Sequence, residues 1–82
     1  MIDAGIADGD IVYIRRQPDV ENGQIAAVRI GEDATLKRVY KELDRITLMP
    51  ANSAYPPLTY VGEQMNDIAI EGRAVGYTHW FF

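Results

Sequence analysis

The chain has 82 residues, 48% of them apolar, which is enough for one domain with a small core. A domain of this size buries only about 60% of the surface its unfolded chain exposes, so modest stability or help from a second subunit is expected. Twelve acidic against eight basic residues give a net charge of −4, with no cationic cluster larger than Arg15-Arg16 or Lys37-Arg38. Affinity for nucleic acid rests on cations at phosphates, so the domain itself is a poor DNA or RNA binder.

The absence of cysteine excludes a disulfide framework, a thiolate metal site and a cysteine nucleophile, and fits a cytoplasmic setting. No run approaches the ~20 apolar residues of a membrane helix, and Met1-Ile2-Asp3 does not begin a secretory signal. A soluble domain with no membrane anchor is expected.

Turn-forming residues recur at 5–10, 17–23, 31–33, 50–57 and 62–67. Between them lie short runs rich in β-branched and aromatic residues: 11–14, 25–30, 35–41, 45–49 and 68–77. Short strands at this spacing indicate an all-β fold, a small, strongly bent sheet or partly open barrel. Asn22-Gly23 tolerates the positive φ of a tight turn and connects the first two strands. The runs from 10 to 49 then read as a meander. Residues 50–57 hold three prolines, which lack the ladder N–H, and so form a crossing loop. A single helical turn fits 62–66.

Alternation along the third strand puts Thr35, Lys37, Val39 and Lys41 on one face and Leu36, Arg38 and Tyr40 on the other. Both faces mix apolar and charged residues, so the pattern does not say which is the core. Lys37 lies in mid-strand between β-branched neighbours on its face, whereas Lys41 is at the strand end beside Glu42 and Asp44. Lys37 is therefore the better candidate for a desolvated lysine. Free lysine titrates near 10.4, and burial can lower this by roughly 3–5 units, leaving an amine able to take a proton from a serine hydroxyl. From the pattern alone a solvated strand lysine is the stronger reading, since lysine is almost never fully buried.

Five blocks in order decide between these readings. They are Asp3-x-Gly5-Ile6-x-x-Gly9-Asp10-Ile11-Val12; Asn22-Gly23-Gln24-Ile25-Ala26-Ala27-Val28-Arg29-Ile30; Ala34-Thr35-Leu36-Lys37-Arg38; Leu48-x-Pro50-x-Asn52-Ser53-x-Tyr55-x-Pro57; and Ile70-Glu71-Gly72-Arg73-Ala74-Val75-Gly76-Tyr77. Together they resemble the serine-lysine peptidase domain (peptidase S24) of LexA-like and phage-type self-cleaving repressors, over residues 1 to about 77. The resemblance implies a β-rich C-terminal peptidase and dimerisation domain occupying the whole of residues 1–82, and Lys37 as the catalytic base of a Ser-Lys dyad. It also implies cleavage of the repressor's own linker, promoted by a RecA filament in an SOS response. DNA would be bound only through a separate N-terminal helix-turn-helix domain. No cofactor or metal is implied.

In the family the serine directly precedes a Met-x-x-x-Gly-Ile-x-x-Gly-Asp stretch, here Met1 to Asp10, so the nucleophile is expected one position before Met1. The chain without it is expected neither to cleave peptide nor to bind DNA. A non-enzymatic β-domain that serves only as a dimerisation module is the alternative. Ser53 is a turn serine whose hydroxyl bonds local backbone. The turn with Gly5, Gly9 and Asp10 leads into the first strand and, by resemblance, lies beside the nucleophile. Asp3, Asp8 and Asp10 lack the spacing of a calcium loop. His79 reads as a surface or interface histidine. Tyr77, Trp80, Phe81 and Phe82 crowd the end of the chain, either folded onto the core or forming a homodimer surface.

Overall fold

A computed structural model describes residues 5–7, 9–50 and 54–80. The strands are β1 (Ile11–Arg16), β2 (Ile25–Ile30), β3 (Asp33–Lys41), β4 (Arg45–Met49), β5 (Leu58–Val61) and β6 (Ile68–Thr78), with a 3-10 helix (Gly62–Asp67) before β6. All pair antiparallel in one six-stranded sheet of order β1-β6-β2-β3-β4-β5. The sheet is open, with β1 and β5 at its edges. The fold is all-β, as expected.

The meander starts at β2 and runs to β5, because β6 inserts between β1 and β2. The segment between β1 and β2 therefore crosses over β6 and is not a hairpin. Its end still behaves as the Asn-Gly signal predicts. Gly23 has φ +89, Gly23 N–H donates to the Val39 carbonyl at 2.9 Å, and Val39 N–H donates to Gln24 at 3.1 Å. The Asn22 side chain extends that ladder, accepting from Lys41 N–H at 2.8 Å and donating to the Lys41 carbonyl at 3.3 Å.

Strand β5 was not expected from the pattern; it follows Pro57 and forms a short edge, where a preceding proline costs no ladder bond. The loop read over 50–57 is described only at Pro50 and from Ala54 to Pro57; Ser53 lies outside the described residues, as do Asp3, Asp8, Phe81 and Phe82.

One face of the sheet carries the core. Ala26, Val28, Val39 and Leu48 are fully buried and Ile46 nearly so. The register explains their company: Leu48 lies opposite Val39 and Leu58, and Ile46 opposite Lys41 and Tyr60. Val20 from the β1–β2 crossing and Met65 from the 3-10 helix cover this face in place of a second layer. Deeply buried residues are few, as a domain this small requires.

Strand β6 is interrupted twice. Opposite β2 the register skips Glu71, and opposite β1 it skips Val75. Each extra residue bends and twists the strand. Between the two bulges Gly72 is buried where a Cβ would collide with the Arg15 carbonyl and approach Ile14 Cγ2 to 2.6 Å.

Candidate functional site

Lys37 sits in the middle of β3, directly opposite Ala26 of β2. Directly opposed residues of an antiparallel pair share a face. Lys37 is therefore on the core-bearing face, with fully buried Ala26 beside it and fully buried Val39 two residues on. This resolves the ambiguity of the strand pattern: the Thr35-Lys37-Val39-Lys41 face is the inner one. Lys37 is itself half-buried. Among the described residues no carboxylate pairs with its ammonium.

The same rung continues across the sheet. Ala26 is opposite Arg73 of β6, and Arg73 is opposite Arg15 of β1, so Lys37, Arg73 and Arg15 stand in one transverse row with Ala26 as the gap. Adjacent strands lie about 4.8 Å apart, so Arg73 and Arg15 are neighbours on this row while Lys37 is two strands from Arg73. Arg73 also lines an open cavity of about 490 Å³ with Gln17, Asp19, Glu21 and Gln24.

Lys41, the other lysine of this face, is engaged differently. Its Nζ donates to Asp19 Oδ1 at 2.8 Å. That bond, with a second from Val20 N–H, holds the Asp19 carboxyl below its ordinary value. Glu42 and Asp44, its neighbours in sequence, turn to Arg45 instead, at 3.8 and 3.2 Å. Of the two lysines, Lys37 is the one without an acid partner among the described residues. Next to Lys41 an apolar groove of about 350 Å³ runs along Ile46, Met65, Ile68 and Ile70 on the same face.

Gly5, Gly9 and Asp10 do form a turn into β1. The two glycines take φ +80 and +88, Asp10 N–H donates to the Ala7 carbonyl at 3.1 Å, and Ala7 N–H donates to Asp10 Oδ2 at 2.8 Å. Asp10 is five residues along β1 from Arg15, while Ile6 of the turn lines a small pocket with Val12, Ile25 and Ala74, the last two being one residue from Ala26 and Arg73 of the Lys37 row. Asp10 Oδ1 meets His79 Nδ1 at 2.6 Å. Sequence reasoning missed that pair, because nothing local marks residues 69 positions apart; the β1–β6 register, in which Ile11 faces Thr78, sets them side by side. Trp80 is exposed, as are Ile11, Tyr13, Val75 and Tyr77 of the β1–β6 pair. Among the described residues no group of three His, Cys, Asp or Glu side chains could hold a metal ion, and no helix is long and apolar enough to cross a membrane.

The Peptidase S24-like family profile matches residues 1–75. The chain belongs to the Peptidase S24-like family. This S24-like domain is 49% identical over 76 residues to the LexA repressor of Desulforamulus reducens, covering 93% of this chain and 33% of that protein. It is 50% identical over 78 residues to the LexA repressor of Roseiflexus sp., covering 93% and 34%. With the LexA repressor of Geotalea uraniireducens it shares 43% over 76 residues, 93% of this chain and 37% of the relative. It is a LexA-like S24 domain and spans about a third of the length of these curated relatives.

Proposed function

We propose that this domain is the C-terminal self-cleaving and dimerising part of a LexA-like transcriptional repressor, with Lys37 as general base. The observation that carries the reading is the placement of Lys37: on the inner face of the sheet, against fully buried Ala26, without an acid partner among the described residues, and in a row with two further cations. A lysine can act as a base only as the neutral amine. The catalytic step needs that form. The amine accepts the serine hydroxyl proton as Oγ attacks the linker carbonyl, and returns it to the leaving amine. The nucleophile is the residue that precedes Met1 in the family pattern. The groove along Ile46, Met65, Ile68 and Ile70 offers an apolar bed for an extended segment lying on this face.

In the intact protein an upstream helix-turn-helix domain binds operator DNA, two protomers pair through this domain, and a RecA filament promotes cleavage in the cytoplasm. The acidic balance of the chain supports leaving DNA binding to that other domain. A second reading, a dimerisation module without catalysis, is favoured by the exposed Tyr13, Tyr77 and Trp80.

The test is a protein extended upstream through the linker, with serine immediately before Met1. Its linker is cleaved in a first-order reaction that accelerates toward alkaline pH, as a base that works deprotonated requires. Lys37→Ala abolishes the reaction. Equal cleavage by Lys37→Ala removes the assignment. A residue other than serine before Met1 in the natural protein supports the module.

A further inference from the structure

Asp10, just before β1, is a half-buried residue whose side chain is only 3% exposed. It divides its two oxygens between two parts of the chain. Oδ2 accepts from Ala7 N–H at 2.8 Å and so closes the turn that precedes β1. Oδ1 meets His79 Nδ1 at 2.6 Å, in the segment that follows β6. The two residues lie one step beyond the Ile11–Thr78 rung, so the pair lengthens the β1–β6 ladder by a side-chain contact where its regular pairing stops. Tyr13 Oη and Thr78 Oγ1, 2.8 Å apart, fasten the same end of the ladder.

We infer that Asp10 and His79 are positioning residues: their contact locks the terminal segment to the turn before β1, and thereby holds the stretch between that turn and the nucleophile at a fixed origin on the sheet. The inference rests on the peptidase reading for its effect on cleavage, and on the geometry alone for the clasp. On that reading the nucleophile lies only ten residues upstream of Asp10, and the turn that Asp10 closes is where that stretch joins the sheet. β1 is an edge strand, hydrogen-bonded on one side only, so contacts at Asp10, just before its first residue, govern how the joining segment is aimed. Asp10 serves with both oxygens because a carboxylate accepts several bonds at once. His79 leaves its side chain 61% exposed, so its use lies in the Nδ1 contact and not in filling the core. The Asp10 carboxyl is held below its ordinary value, first by the Ala7 N–H and next by His79.

Two sets of measurements separate the clasp from the reaction. In the 82-residue chain, His79→Ala raises the titration midpoint of the Asp10 carboxyl carbon seen by NMR and lowers the fluorescence anisotropy of Trp80, the only tryptophan, with little change in the urea midpoint. His79→Asn, whose amide nitrogen reproduces Nδ1, restores the anisotropy. In the upstream-extended protein, His79→Ala slows self-cleavage about tenfold, a barrier increase of about 1.4 kcal/mol, and His79→Asn recovers most of the rate. An unmoved Asp10 titration and anisotropy in His79→Ala overturns the clasp. A normal cleavage rate in that variant overturns the positioning role while leaving the peptidase reading intact. An extended wild-type protein that does not cleave overturns the peptidase reading and the positioning role with it, and the clasp is then decided by the NMR and anisotropy results.

Discussion

Gly72 and Gly76 lie four residues apart on β6 and make a matched pair of probes. A methyl group at Gly72 would collide with the Arg15 carbonyl and come within 2.6 Å of Ile14 Cγ2, while one at Gly76 would meet nothing within 4 Å. Gly→Ala at a compatible site stabilises by about 0.4–1 kcal/mol through the unfolded chain. That contribution is shared, so the difference between the two variants isolates the collision. Overpacking costs typically about 1–3 kcal/mol. Here the obstacle is backbone of a paired strand and cannot rotate away, which puts the expected difference at about 2–3 kcal/mol. A chain of this length has about 4–12 kcal/mol of stability in all, so Gly72→Ala folds but is visibly weakened. With a urea dependence near 1 kcal/mol/M, its midpoint should fall about 2–3 M below that of Gly76→Ala. Amide exchange should locate the loss in β1 and the facing half of β6. Midpoints within 0.5 M of each other would refute the close approach of β1 to Gly72.

Three further outcomes are expected. Leu48→Ala, at a fully buried position between Val39 and Leu58, should cost about 2–5 kcal/mol and lower the thermal midpoint by at least about 10 °C, read by circular dichroism. Sedimentation should show concentration-dependent association of the chain that Trp80→Ala weakens; a strict monomer at high concentration would remove the dimer proposal. Asp10, Asp19 and Asp44 all have lowered carboxyl values, through the Ala7 N–H, the Lys41 ammonium and the Arg45 guanidinium respectively. Their contribution is therefore complete above the ordinary carboxylate range and lost as pH falls through the depressed values, so urea midpoints should drop below about pH 4, and less so in Asp10→Asn.

Strands β1, β2, β3, β4 and β6 were legible within two residues, as was the helical turn after Gly62. Their pairing was not. Adjacency of β6 to both β1 and β2 is a long-range choice, and no local pattern in residues 68–77 encodes it. The same limit hid the Asp10–His79 pair. Lys37 was legible as a residue, through the ordered blocks around it, yet the face it occupies was not: Val39 and Lys41 on one side and Leu36 and Tyr40 on the other are equally apolar in sequence. The opposing strand decides, because Ala26 and Leu48 are buried on the Val39 side. β5 was missed because prolines at 56 and 57 masked a short alternating run that needs only one ladder.

The place of β6 between β1 and β2 also orders events in time. The β2–β5 meander contains only neighbouring pairings and can form as soon as it is made, whereas β1 has no strand partner until residues 72–78 exist. Closing that contact spans most of the chain, which is the slow kind of step in β proteins. During synthesis the first strand must wait, unpaired, for the last. Any site built at the start of this domain is therefore completed only when the end of the chain has been delivered, and a product cut short before β6 would carry a formed meander and an idle N-terminal edge.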